Sequence, residues 1–251
     1  MSSYHNFPYS YKMTIAYDGA AYCGWQRQPH GTSIQETIEE KLNTILPEKP
    51  QLIGSGRTDA GVHAKAQVAH FRTHSLLDTD KIQHSLNSLL PKEIRILELQ
   101  ETDALFHARY SAKGKVYHYH LAKKHDPFER RYRLFVGRPL NLDLLKQGAS
   151  LFLGTHDFTS FANVGSAGTK NGAVRTIHRI DVVEEPQGLR LEFEGTGFLY
   201  KMVRNLVGTL LDVASGKLAP EKIPEILAAK DRRRAQKAAA AHGLFLVEVL
   251  Y

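Results

Sequence analysis

The chain has 251 residues, enough to bury a substantial core in one large domain or in two small ones. Its 33 Lys and Arg against 26 Asp and Glu leave a formal charge of +7, an excess that favours polyanionic partners, nucleic acid first among them. The single cysteine, Cys23, excludes an intrachain disulfide and any multi-cysteine zinc or iron–sulfur site, and it fits a reducing cytoplasm.

The stretch from Met1 to Phe7 lacks the basic segment and following apolar run of a secretory signal, so no export is expected. No apolar run approaches the ~20 residues needed to span a bilayer, and even Leu206 to Leu211 soon meets Asp212. A soluble cytoplasmic protein with no membrane attachment is the expectation.

Along the chain, Met13, Ile15 and Tyr17 share one side at period two, which predicts a half-buried strand over Lys12 to Tyr17, ended by Asp18-Gly19. A helix follows. Thr32 and Ser33 offer N-cap oxygens, Ile34, Ile38, Leu42 and Ile45 form an apolar face, and Pro47 stops it. Leu52-Ile53 reads as a strand end and Gln67 to Thr73 as a strand. Asp80 is placed to cap a helix carrying Ile82, Leu86 and Leu89, and Glu93 to Leu99 alternates again. Lys115 to Ala122 predicts a strand with Tyr117, Tyr119 and Leu121 on one face and Val116, His118 and His120 on the other. A helix over Leu142 to Leu153, strands over Ile177 to Val183 and Leu189 to Glu194, and a helix from about Phe198 to Ala214 broadly repeat the order of the first half.

Short turns such as Glu185-Pro186-Gln187-Gly188 connect the strands, so the fold class expected is α+β: a mostly antiparallel mixed sheet with helices packed against it. The division is drawn near residue 106, giving an amino-terminal half over 1–106 and a carboxy-terminal half over 107–251. Near the end, Arg232 to Arg234 form a basic cluster that reads either as a solvated helix end or as a phosphate contact.

The densest local signal runs from Gly54 to Ala64, where three glycines bracket Arg57 and Asp59. Glycines permit turns that other residues resist, so this loop can present both charges at the end of the Leu52-Ile53 strand. A carboxylate beside a guanidinium suits an anionic substrate. The same residues also fit a tight turn stapled by an Arg57–Asp59 ion pair. A dinucleotide fingerprint is excluded because its third glycine would fall at Asp59, and a phosphate-binding P-loop because no Gly-Lys-Ser/Thr follows.

Gly56-Arg57-Thr58-Asp59-Ala60-Gly61-Val62-His63-Ala64, followed by Gln67-Val68, resembles the active-site signature of the tRNA pseudouridine synthase A family. The resemblance continues at Tyr17-Asp18-Gly19 with Gly24-Trp25-Gln26, and at His107-Ala108-Arg109 with Ser111-Ala112. It extends through Tyr117-His118-Tyr119, His156-Asp157-Phe158, Arg175-Thr176-Ile177 and Gly197 to Arg204, nearly the whole chain. It implies a two-part α/β pseudouridine synthase fold in a homodimer, no metal or organic cofactor, and as substrate the uridines on the 3′ side of the tRNA anticodon loop and stem. By motif, Asp59 matches the catalytic aspartate, Tyr117 the tyrosine stacked on the target base, Arg204 the basic partner of the aspartate, and Arg57 the arginine implicated in base flipping. Ala20, Thr196 and the stretch Gln236 to His242 depart from the family pattern, and none of them touches those four positions.

The reaction suits these residue types. Forming pseudouridine breaks the N1 glycosidic bond, turns the uracil and rejoins it through C5, so nothing is oxidised and no outside group is donated. A carboxylate can attack sugar or base, or stabilise charge developing on the sugar, and both routes stay open. Arg204 beside it would favour the ionised form. Arg204 also fits a helix residue snorkelling beside Lys201 and Asn205, and Tyr117 an ordinary strand tyrosine. Two rival functions remain: a non-catalytic RNA-binding module, which has little use for Asp59, and a metal-dependent phosphohydrolase built on His156-Asp157 or on His118 and His120. For the second, no third ligand can be placed near either pair.

Overall fold

In the computed structural model, residues 7–163 and 172–251 are described. Met1 to Asn6, most of the stretch considered above for a secretion signal, lies outside the described residues. The chain divides into two compact units, one over residues up to Ala112 together with Leu246–Tyr251, the other over Lys113–Phe245.

The first unit is built on β1, Tyr9–Tyr17. Tyr11, Met13 and Ile15 are fully buried and Tyr17 nearly so, and each apolar side chain removed from water contributes roughly 1.5–3 kcal/mol. After β1 come α1 (Ile34–Ile45), β2 (Ile53–Gly54), β3 (His63–Thr73), α2 (Thr79–Leu89) and β4 (Ile94–Thr102). β1 pairs antiparallel with β3 on one side and β4 on the other, and β2 adds antiparallel to β3. The α1 cap forms as its sequence predicts: Ser33 Oγ accepts the Glu36 N–H at 3.2 Å, with Ile34, Ile38 and Leu42 buried. For α2 the cap is Asp78 and not Asp80. The Asp78 side chain accepts the Lys81 N–H, and Asp80 falls within the first turn. Both aspartates satisfy a local capping rule. The path of the preceding loop, where Leu77 N–H donates to Tyr11 Oη at 2.8 Å, selects between them.

The segment after β4 is bonded into this first unit. Ala108 N–H donates to His70 Nδ1 at 3.2 Å, and Tyr251 Oη donates to Ala108 O at 2.7 Å. The chain therefore leaves the unit at Ala112, past the hydrophobic anchor of Ala108, and its last residues return to it.

His70, 1% exposed, provides a pH test of this packing. Burial, with the neighbouring His107 and Arg72 adding to it, lowers its pKa from 6.5 to about 4. Above pH ~6.5 both folded and unfolded chains carry a neutral imidazole. Below it the unfolded chain takes up a proton that the folded chain refuses, so stability falls as pH drops from 6.5 to about 4. The loss is roughly 3 kcal/mol at about 1.4 kcal/mol per pH unit. His70→Gln should be less stable than wild type at pH 7 and should converge on it by pH 4.5 in urea titrations. A difference that stays constant across that range would refute a neutral, buried His70.

The second unit holds β5 (Gly114–Ala122), β6 (Leu134–Phe135), α3 (Leu142–Ser150), β7 (Gly154–Asp157), β8 (Val174–Glu185), β9 (Gly188–Gly195), α4 (Met202–Ala214) and α5 (Lys222–Ala229), and β10 (Leu244–Leu250) begins there. β5, β9, β8 and β7 are neighbours in that order, all antiparallel, and β6 lies parallel to β5. The fold is α+β with a predominantly antiparallel sheet, as the short turns predict. Helix α4 starts at Met202, later than the periodicity suggests, because Lys201 adopts the left-handed conformation (φ 59°), which a helix interior does not admit. Among the described residues, no helix is long and apolar enough to cross a membrane.

Candidate active site

The Gly54–Ala64 stretch leaves β2 and enters β3 as a loop whose backbone is held at nearly every step. Ser55 N–H donates to Val68 O at 2.7 Å, and the Ser55 hydroxyl donates to Gln67 Oε1 at 2.7 Å. Gln67 is fully buried and its Nε2 donates to Gly56 O at 3.1 Å. Thr58 is buried as well: its hydroxyl bonds Tyr17 Oη at 2.8 Å, and its carbonyl accepts the Trp25 N–H at 3.1 Å. The turn then closes, with Val62 N–H donating to Asp59 O at 3.1 Å and Gly61 taking φ 76°, a left-handed angle that glycine adopts without strain. Satisfying the loop's buried backbone in this way fixes where Asp59 and Arg57 start. Asp59 is half-buried and Arg57 exposed.

A second layer supports this loop. Gln35 Nε2 donates to Leu52 O at 2.9 Å, Glu39 Oε1 accepts the Leu52 N–H at 2.9 Å, and Arg27 pairs with Glu39 Oε2 at 3.0 Å. These polar groups of α1, buried and partnered, anchor the chain just ahead of β2.

In the second unit, Tyr117 sits on β5 opposite Phe193 of β9, 7% exposed, with Phe198 edge-on at 5.2 Å and 83°. Arg204 lies in the first turn of α4. Its Nε donates to Ala239 O at 2.8 Å, and Ala239 N–H donates back to Arg204 O at 2.9 Å, so the stretch Gln236 to His242, expected from the sequence to leave the four site positions untouched, in fact bonds one of them. The same strap takes a bond from Tyr119, whose hydroxyl donates to Ala240 O at 2.8 Å. Burial pushes the Tyr119 phenol up, and the nearby Arg204 charge pulls it back only in part.

The basic cluster divides its duties. Arg232 is tied inward, to Asn205 Oδ1 at 2.7 Å, Asn163 Oδ1 at 3.3 Å, Ala235 O at 3.0 Å and Gln236 O at 3.0 Å. Arg233 is exposed and bonds Asp231 through two nitrogens. The cluster forms a short 3-10 turn, and Arg232 holds the 235–240 strap onto α4. His156 Nε2 bonds Leu153 O at 2.8 Å, and Asp157 takes the Thr159 N–H and hydroxyl and pairs with Lys230 at 3.0 Å. His118 and His120 face Glu192 and Glu185, which are bonded to Arg190, Arg179 and Arg133. Among the described residues, no group of three or more His, Cys, Asp or Glu is arranged to hold a metal ion.

Arg57 and Asp59 thus share one loop of the first unit, and Tyr117 and Arg204 belong to the second. The supporting residues Gln67, Thr58, Gln35, Glu39 and Ala239 were not singled out as functional by their sequence. Among them only Thr58, inside the loop motif, and Gln67, three residues past its end, carried a local signal.

The chain is thus an α+β protein that presents an aspartate and an arginine on one pinned loop. Residues 13–111 and 149–251 match the family described as tRNA pseudouridine synthase, and the chain belongs to that family. It is 55% identical over 245 residues to tRNA pseudouridine synthase A 1 of Protochlamydia amoebophila, covering 96% of each chain. It is 47% identical over 244 residues to tRNA pseudouridine synthase A of Chlamydia pneumoniae, covering 95% of this chain and 91% of that one. To tRNA pseudouridine synthase A of Acetivibrio thermocellus it is 44% identical over 242 residues, covering 96% and 98%.

Proposed function

We propose that this chain is a cytoplasmic, homodimeric, cofactor-independent enzyme that converts uridine to pseudouridine in the anticodon stem-loop of tRNA, with Asp59 as the catalytic carboxylate. The observation that carries this reading is the loop: Thr58, Gly56, Asp59 and Gly61 have backbone bonds that fix the chain while the Asp59 side chain is left half-buried at its turn. In pseudouridine formation the N1–C1′ bond breaks, uracil turns, a C5–C1′ bond forms, and the C5 proton moves to N1, so atoms and electrons balance without a co-reactant. Asp59 either bonds the migrating fragment or offsets positive charge on the sugar. Tyr117 supplies a ring for the extruded base, an interaction worth about 1–3 kcal/mol in single-stranded recognition. Arg204, tied to Ala239 O through its Nε, is the basic residue of this reading and supplies positive charge for the anionic substrate. A binding-only module would gain nothing from Asp59, since a carboxylate near phosphates opposes RNA.

The test is to incubate purified protein with unmodified tRNA transcripts, without added cofactor and with EDTA controls, and to map pseudouridine. Product confined to the anticodon arm is the expected result. Tight binding without product would favour the binding module, and loss of activity on chelation that zinc restores would favour a metal enzyme.

Arg57 is exposed two residues from Asp59, and in this reading it fills the space a uridine vacates. Extruding a base costs a few kcal/mol, least where it is already unpaired. Arg57→Ala should therefore slow modification of an anticodon-stem uridine more than of a loop uridine, measured as single-turnover rates on two transcripts with one target each. Equal losses at both sites would remove the gap-filling role.

A further inference from the structure

We propose that Arg109 and Tyr110 form a stacking site for one unpaired nucleotide of the RNA substrate, a nucleotide other than the uridine that reacts. The proposal rests on the reading of the chain as a tRNA-modifying enzyme. It starts from an oddity of burial: Tyr110 is 76% exposed, yet the turn that carries it is held by several hydrogen bonds.

Six hydrogen bonds hold that turn. His107 N–H donates to Ser111 Oγ at 3.1 Å, and Ser111 N–H donates back to His107 O at 2.9 Å. Arg109 N–H and Tyr110 N–H both donate to His107 Nδ1, at 3.2 and 3.3 Å. Ala108, fully buried, donates to His70 Nδ1 and accepts from Tyr251 Oη. A ring nitrogen that accepts two N–H groups carries no proton of its own, so the imidazole serves as a fixed scaffold for the turn.

The rings continue outward from this scaffold. His107 lies 4.8 Å from buried His70, and Tyr110 lies 4.3 Å from His107, tilted by 35°. The Arg109 guanidinium sits 5.8 Å from the Tyr110 ring centre. A column of rings thus runs from the interior to an aromatic residue that is largely open to solvent, with a cation beside it. Two further cations bear on the segment that leads into this turn. Lys12 Nζ lies 6.0 Å from the Phe106 ring and 5.8 Å from the Tyr251 ring, and Arg72 bonds Ala104 O at 2.9 Å. The one acid between residues 103 and 112, Asp103, is engaged by the Leu105 N–H at 2.6 Å.

A preordered aromatic surface with a guanidinium beside it is the chemistry that receives an unpaired base with its phosphate: the ring offers a π-face to any base, and the cation neutralises the backbone. Holding the turn rigid before binding means little ordering entropy is lost when the base arrives.

The test compares wild type, Tyr110→Ala, Tyr110→Phe and Arg109→Lys for affinity to an unmodified tRNA transcript at fixed salt. Sedimentation of each protein without RNA and pseudouridine formation by the wild type are measured in parallel. Tyr110→Ala should weaken binding by about 5- to 150-fold, the range of one lost base stack. Tyr110→Phe should bind as wild type does, since the ring is the contact, and Arg109→Lys should fall between, keeping charge but losing the planar fork. Affinity of Tyr110→Ala within twofold of wild type would overturn the proposal. So would equal losses in the Ala and Phe variants, or a shift of Tyr110→Ala to a smaller species in sedimentation, which would make this face a contact between copies of the chain. If the wild type binds tRNA but makes no pseudouridine, the functional reading fails while an affinity loss in Tyr110→Ala still supports the stacking site. If the wild type makes pseudouridine and Tyr110→Ala binds normally, the stacking site alone fails.

Discussion

Asp59→Asn should abolish pseudouridine formation while leaving the fold and tRNA affinity nearly intact. The substitution keeps the shape of the side chain and removes its charge. Bonds that hold the loop include those of Ser55, Gln67, Thr58, Trp25 and the Asp59 carbonyl, and an asparagine retains all of these. The loss should therefore fall on the chemical step, where neither nucleophilic attack nor stabilisation of sugar charge survives replacement of a carboxylate by an amide. Thermal melting and filter binding establish the intact fold and affinity, and single-turnover rates report the chemistry. Residual turnover within about tenfold of wild type, only ~1.4 kcal/mol of barrier, would return Asp59 to a turn-stabilising role.

Gly24→Ala should damage both the loop and the fold. Gly24 has φ 94°, and a Cβ there would approach Thr58 O to 2.5 Å, Asp59 C to 3.0 Å and Ala60 N to 3.1 Å. All three atoms are backbone of the loop that carries Asp59, so no side chain can swing away. Left-handed strain in a residue with a Cβ costs about 1–3 kcal/mol, and overpacking adds about 1–3 kcal/mol. If the loop resists, the melting temperature should fall by roughly 5–20 °C, at about 2–4 °C per kcal/mol for a chain of this size. If the loop yields, Asp59 moves and turnover falls instead, since displacement of a reacting group by about 1 Å can cost on the order of a hundredfold in rate. A variant that melts and turns over as wild type does would refute the close packing of this glycine on the loop.

Which features were legible in advance follows from how far apart their causes lie in the chain. Helix α1 was readable because its cap, its apolar face and its stop signal all fall between Thr32 and Pro47. Helix α5 was not: it has eight residues, Pro224 sits in its first turns and reads as a breaker, and only Ile223, Ile226 and Leu227 are buried. The final strand, β10, is an apolar run with little alternation to identify it, and pairing rather than periodicity makes it a strand. The Arg232 to Arg234 cluster left two readings open, and neither anticipated that Arg232 would turn inward to Asn205.

By itself the sequence determined the α+β class, the absence of disulfides, the caps and faces of the long elements, and a loop motif dense enough to single out Asp59 and Arg57. These depend on neighbours within a few residues, and such couplings are written in local order. Only the tertiary structure decided what holds that loop and what orients Arg204. Tyr17 meets Thr58 across 41 positions, Arg204 meets Ala239 across 35, and Tyr119 meets Ala240 across 121. Each of these bonds satisfies a polar group that folding has taken from water, and which partner is available depends on where the chain returns.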